Sequence, residues 1–429
     1  MRNASFSYIL WAVVATVPTS LLAKDSWPQW RGAAQNGVAI GERFPIRWSE
    51  GSGIAFEVEL PGNGGSTPVI DAGTAYLTSG VDGKNMLLAF STDDGALQWQ
   101  TALGADRGNK HRKGSGSNPS PVIDGDSIFA YFRSGNLACV DREGNVRWET
   151  NLQDRYGEDT LWWDLGSSPI LTKDAIVVAV MQSGPSYLVA FDKNSGDEIW
   201  KTDRMLDAPE EAAQSYATPL AVQIGGQDAI AVMGADHLTL HRASDGRELG
   251  RLGGFNPAGD RFFRSISSPV AEGNLIVCPY ARGGTLTAVR MDQLAAGKGK
   301  DAIAWVRDDL GSDVPTPAAL QGRIYVVGDK AKGMISCLDI ETGKTLWQQQ
   351  LPKSRIGYSS SPLVAGNHLY VTQEDGTTYV IGPLDQPQPQ VVSVNQVGDQ
   401  EPFTVASPVP VGDSLLLRSR HHLYRIAGE

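Results

Sequence analysis

AFDKNSGDEIW, Ala190 to Trp200, is the stretch whose reading decides how this 429-residue chain folds. Near-copies stand at AFSTDDGALQW, Ala89 to Trp99, and CLDIETGKTLW, Cys337 to Trp347; the Gly and Trp keep their spacing and the first residue stays small. An apolar, strand-like run leads in. A turn follows in which an Asp or Thr bonds its own backbone while the Gly takes the positive φ of a tight hairpin. The Trp then opens another strand. None of these residues needs a catalytic explanation, and their recurrence marks a repeat protein.

A second marker lies outward from these motifs: a small hydroxyl or Ala residue, then Pro, then an apolar residue. It occurs at Pro68, Pro121, Pro169, Pro219, Pro269, Pro317, Pro362 and Pro408, separated by 53, 48, 50, 50, 48, 45 and 46 residues. Each unit reads as four strands: one after the Pro, which is tolerated at a strand's first residue, two more around a polar hairpin, and an outermost one opened by Trp. A single four-stranded sheet leaves both faces uncovered, so each unit needs a neighbour on either side. Eight twisted sheets satisfy one another by closing into a ring. The expected fold is all-β, an eight-bladed β-propeller of four-stranded antiparallel blades around an axial channel.

Ring closure makes a demand on the ends. The last unit, from Ser407, holds only three strands. Units one, two and six end in WQTAL, WETNL and WQQQL, and the matching piece before the first marker is FEVEL, Phe56 to Leu60. The N-terminal strand Ile54–Leu60 is therefore expected to complete the eighth blade and remove its exposed edge. Trp99, Trp148, Trp200, Trp305 and Trp347, with Phe56 in the equivalent place, are assigned to blade docking, where each large ring buries on the order of 200 Å². Three units depart from the pattern. Gly250 stands where unit four should have Trp, unit five inserts residues 291–303 before Trp305, and unit seven has no Trp.

Composition fits short strands joined by many turns, with 48 Gly and 24 Pro. The formal charge of −11 repels phosphate backbones and anionic membrane surfaces, which disfavours nucleic-acid binding. Residues 1–23 carry one positive charge at Arg2, an apolar run too short to span a bilayer, and a small residue at Ala23. They read as a cleaved export signal, which places the chain in the periplasm or outside the cell as a monomer without a membrane span. Residues 24–53 read as an extended N-terminal segment and 54–429 as one propeller. Cys139, Cys278 and Cys337 are odd in number and far apart, so they form neither a disulfide framework nor a zinc site, and buried thiols are expected.

The A-x-D-x-x-x-G-x-x-x-W repeat, complete at Ala190, Asp192, Gly196 and Trp200, together with the Ser-Pro markers and the opening WPQWRG at Trp27 to Gly32, resembles the pyrroloquinoline-quinone-like β-propeller repeat family, in its exported bacterial members. The resemblance implies one of two roles. One branch comprises quinone- and calcium-dependent dehydrogenases acting on alcohols or sugars, commonly with a vicinal Cys pair beside the quinone. The other is a non-catalytic scaffold of outer-membrane assembly that offers its loops to partner proteins. No two cysteines are adjacent here, so the scaffold branch is the closer likeness. The expectation is a binding or assembly scaffold with no cofactor. The alternatives are a dehydrogenase using that quinone with calcium, and a carbohydrate-binding propeller. The partner is then a protein or a polysaccharide.

Loops before each Ser-Pro marker, and the hairpins between second and third strands, emerge on one face and converge on the channel mouth, the default place for a ligand. Arg107, His111, Arg112, Trp162, Trp163, Tyr216, Arg264 and Tyr358 are the candidate binding residues there. The basic run from Asp106 to Asn118 reads most simply as a solvated loop, and more sharply as a contact for an anion or an acidic partner. Arg and aromatic side chains at a mouth suit a sugar, a quinone or a protein hot spot. No catalytic or metal-binding residue is assigned.

Overall fold

A tryptophan needs room, and in this chain the strand opposite supplies it. The structure is a computed structural model that describes residues 26–328, 333–398 and 403–428; the expected export signal, residues 1–23, lies outside them. Trp99 pairs with Ala89, Trp148 with Cys139, Trp200 with Ala190, Trp305 with Ala288 and Trp347 with Cys337. The lead residue of the motif is small because a larger one facing an indole would overfill the site. Beside each pair the ladder slips by one residue, a bulge that bends the outer strand.

Each of four indoles then reaches the turn of the following blade. Trp99 covers Gly144, Trp148 covers Gly196, Trp200 covers Gly246 and Trp305 covers Gly343. Their Nε1–H groups donate to carbonyls of those turns: Arg142 at 2.7 Å, Lys193 at 3.0 Å, Ala243 at 3.0 Å and Ile340 at 2.7 Å. Phe56 and Val58 meet Gly95 in the same way. The motif glycine thus answers two demands. At Gly246 it adopts φ 69°, and a Cβ there would overlap the Trp200 ring.

These contacts build eight sheets, and in all but the last the strands follow chain order from axis to rim. Blade 1 runs Val69–Asp71, Thr74–Val81, Lys84–Ser91 and Leu97–Ala105. Blade 8 consists of Val409–Val411, Ser414–Arg418 and His422–Ile426, with Ile54–Glu59 as its outermost strand; Val58 pairs with Leu423 and Glu57 with Tyr424. The eight-bladed propeller closed by its own N-terminal strand is the fold. Its core lies between the blades, where fully buried Val, Ile, Leu and Ala side chains of neighbouring sheets meet.

The irregular units compensate for one another. Gly250, paired with the bulkier Leu240, lies beneath the short helix Met291–Ala295 inserted in blade 5, so closely that a Cβ would overlap the Leu294 carbonyl. Leu294 and Met291 are buried in one cluster with Leu252. The missing Trp and the insertion are thus two halves of one packing solution. Between blades 7 and 8, where no blade Trp is available, Trp48 is buried and its backbone N–H donates to Asn395 Oδ1 at 3.0 Å.

The axial channel is not open. The segment from Trp27 to Ala39 lies inside it and bonds the innermost strands around the ring. Trp27 pairs with Ile70, Pro28 O accepts from Ile123 and Gln35 Oε1 from Ala221, Asn36 O from Ala319, and Gly37 O from Val364. Val38–Ala39 adds a parallel strand to blade 7. Arg31, 2% exposed, donates to Pro362 O at 2.5 Å and Pro317 O at 2.9 Å, and burial lowers its pKa to about 9, so it stays charged at neutral pH. The turn that carries it folds on itself, with Trp27 against Gly32 and Arg31 against Gly37. The WPQWRG motif is therefore a plug.

Candidate functional site: the channel mouth

Above the plug, on the face where the Ser-Pro loops emerge, is a cavity of about 690 Å³. Its collar is the hydroxyl residue before each marker proline. The amide of each donates to the hydroxyl of the next blade. Thr67 donates to Ser120 at 3.0 Å, Ser120 to Ser168 at 2.9 Å, Ser168 to Thr218 at 3.0 Å, and Thr218 to Ser268 at 2.8 Å. Ser268 donates to Thr316 at 2.9 Å, Thr316 to Ser361 at 2.9 Å, Ser361 to Ser407 at 3.2 Å, and Ser407 back to Thr67 at 3.0 Å. Each amide would otherwise be buried without a partner where eight chains converge, and a hydroxyl is the smallest side chain that satisfies it. All eight residues line the cavity, and Trp30 of the plug joins them.

His111, Trp162, Trp163, Tyr216 and Arg264 are brought together on the wall. Their positions are set by hydrogen bonds. Gln214 Oε1 accepts from the Trp162 backbone at 2.8 Å and from Tyr216 Oη at 2.9 Å, while Tyr216 Oη accepts from the Trp163 backbone at 3.2 Å. Trp163 Nε1 donates to Glu211 at 2.8 Å, and its ring meets that of His111 edge-on at 5.3 Å. Arg264 grips Asp313 with both terminal nitrogens, at 3.0 and 3.1 Å. Burial pushes the Tyr216 phenol up, so it remains protonated throughout the neutral range.

The other three candidates point elsewhere. Arg107 donates to Gln153 Oε1 at 2.5 Å on the exterior, and the Arg112 carbonyl accepts from Arg420 at 2.5 Å. Neither lines the cavity. Tyr358 is buried in the cluster between blades 6 and 7, where burial pushes its phenol up. The basic loop is also more than a solvated segment. Asp164 accepts the amides of Lys110 and His111 at 2.7 and 2.8 Å, Lys110 Nζ bonds Asp159 at 2.7 Å and the Leu161 carbonyl, and Lys113 reaches Glu374 at 2.5 Å. Reasoning from sequence missed Trp30 and Arg282, which also line the wall, and the purpose of the hydroxyl collar. The collar's signal was present in the invariably hydroxylic residue before each marker proline.

The donor set can be tested against a calcium-bound quinone. Asp164 is held by two amides, Asp313 by Arg264, and Glu211 by Trp163 and, at 3.5 Å, by Arg264. Among the described residues no three His, Cys, Asp or Glu side chains are gathered for a metal. Cys139, Cys278 and Cys337 are buried in separate blades, where burial raises each thiol pKa. A hard cation needs several carboxylate or carbonyl oxygens free to converge. The carboxylates here are already committed, so the residues present do not fit that group.

A family described as "Outer membrane protein assembly factor BamB" matches residues 46–205 and 294–387. The protein of that name from Yersinia pestis is 20% identical over 328 residues, 76% of this chain and 63% of the relative, so the chain spans less than two thirds of its length. Among solved structures, BamB from Moraxella catarrhalis superposes with a TM-score of 0.64 at 16% identity, covering 87% of this chain and 98% of that one. A europium-containing methanol dehydrogenase superposes at 0.71, with 12% identity and coverage of 92% and 90%. The quinohemoprotein alcohol dehydrogenase of Comamonas testosteroni gives 0.70, 12%, and 94% and 81%. At these identities the superpositions report a shared fold and nothing about chemistry.

Proposed function

Because this chain belongs to the family of the outer membrane protein assembly factor BamB, we propose that it is a non-catalytic assembly scaffold. It works outside the cytoplasm and holds a protein partner with the loops of its channel mouth. The observation that carries this reading is the state of the mouth's ionisable groups. Asp164, Glu211, Asp313 and Lys113 are each engaged by partners within the chain, and among the described residues no three His, Cys, Asp or Glu side chains are gathered for a metal. What the mouth offers instead is exposed aromatic surface at Trp162, Trp163 and Phe262 on a hydrogen-bonded frame, the composition of an interface hot spot.

The test is site-specific photocrosslinking in the native envelope. A photoreactive residue at Trp162 should yield one discrete protein adduct, and one at Ile199 on the outer edge should not. Adducts from neither position, or equally from both, would remove the support for a mouth-directed scaffold. Dye reduction by an alcohol or sugar on adding pyrroloquinoline quinone and calcium would overturn the non-catalytic reading itself.

A further inference from the structure

We propose that the cavity above the plug binds a neutral carbohydrate, the end of a glycan chain, stacked on the indoles of Trp162 and Trp163. This goes beyond the scaffold reading, since it names a second, small ligand for the same aromatic surface, and sugar binding and protein contact are read by separate measurements.

The argument begins with access. The plug spans the channel, so the cavity is blind and a ligand enters and leaves from one face only. Its volume of about 690 Å³ lies within the range of small-ligand sites. Trp162, Trp163 and Phe262 line it while remaining 45%, 41% and 40% exposed. Large aromatic rings left in water and clustered at a concavity indicate a surface awaiting cover. The backbone of Trp162 and Trp163 is fixed by Gln214 and Tyr216, and the Trp163 indole by Glu211, before any ligand arrives, which lowers the ordering cost of binding.

Charge then selects the class of ligand. Lining carboxylates Asp164, Glu211 and Asp313 are equalled in number by the cations Lys113, Arg264 and Arg282, so neither sign of charge is in surplus among them. An acidic peptide or a polycarboxylate would need a surplus of cations, and a basic one a surplus of acids. The collar adds eight hydroxyl groups, each accepting one ring bond and retaining a proton to donate. Flat apolar rings beside neutral donors and acceptors match a ligand that has C–H faces, many hydroxyls and no charge. A pyranose is such a ligand.

Calorimetry with glucose-, mannose- and N-acetylglucosamine-based neutral oligosaccharides, with oligogalacturonate and oligoglutamate as acidic probes, tests this. At least one neutral sugar should bind, and its affinity should change by less than about twofold between roughly 50 and 500 mM NaCl, since no net charge is neutralised. Trp162→Ala, at an exposed position, should weaken binding about tenfold or more while leaving the circular dichroism spectrum unchanged. Phe262→Ala should weaken it as well, and Ile199→Ala on the outer edge should not. Binding of the acidic probes alone with steep salt dependence, an unchanged affinity in Trp162→Ala, or no binding by any sugar of the panel would each overturn the proposal. The protein adduct expected from position 162 is measured separately, so loss of the sugar site and loss of the scaffold are distinguishable.

Discussion

The backbone N–H of Ser407 donates to Thr67 Oγ1 at 3.0 Å across 340 residues of chain. That bond is the last of the eight that join every blade to the next around the channel, and it links the final blade to the first independently of the shared sheet between Ile54–Glu59 and His422–Ile426. Thr67→Val removes the acceptor at nearly constant volume and leaves the Ser407 amide buried and unpaired. The expected cost is about 1–3 kcal/mol in urea unfolding, with Thr67→Ser near wild type. Equal stability of the Val and Ser variants would show that the collar is incidental.

Gly246 and Gly225 separate backbone strain from blade docking. Both have positive φ, 69° and 58°, but a Cβ at Gly246 would overlap Trp200 and Thr202, whereas one at Gly225 meets nothing. Gly225→Ala should cost about 1 kcal/mol, the conformational part alone. Gly246→Ala should cost roughly 3 kcal/mol or more, because the indole of blade 3 must move. Denaturant midpoints of the two variants decide it.

The plug depends on Arg31. Replacing it by Met leaves the carbonyls of Pro317 and Pro362 without their donor. We expect a loss of roughly 2–4 kcal/mol and faster hydrogen exchange at the amides that bond the plug, those of Ala319 and Val364 above all. Unchanged protection there would mean that the segment is held without the guanidinium.

His241 supplies a pH dependence. Its Nδ1 lies 3.1 Å from Gly246 O and its Nε2 2.9 Å from Thr239 Oγ1, and burial lowers its pKa from 6.5 to about 4. The unfolded chain therefore takes the proton first. Stability from this residue is complete above about pH 6.5 and is lost as pH falls toward 4, on the order of 3 kcal/mol in all. His241→Gln should flatten that part of the stability curve relative to wild type, read as urea midpoints across the interval.

Much of this was legible beforehand, for a physical reason. A turn that needs a positive φ, an Asp that bonds its own backbone and a Trp facing a small residue are local requirements, so AFDKNSGDEIW carries them in eleven residues. Repetition, of this motif and of the eight proline markers, then strengthens a weak local signal. The path of Trp27 to Ala39 carries no such signal, because its partners are backbone groups of strands scattered along the chain from Ile70 to Val364. Tyr216 and Tyr358 make the same point. Each lies just before a marker, yet Tyr216 lines the cavity while Tyr358 packs over Gly333 between blades.

By itself, then, the sequence determined the blade, the number of blades, the strand that closes the ring and the face where loops converge, since each follows from short-range sterics and the need of every sheet for two neighbours. Only the tertiary structure decided that the channel is sealed, that Leu294 stands in for a missing Trp, and which mouth side chains meet. Those outcomes rest on contacts between distant segments, which depend on where the closed ring places each one.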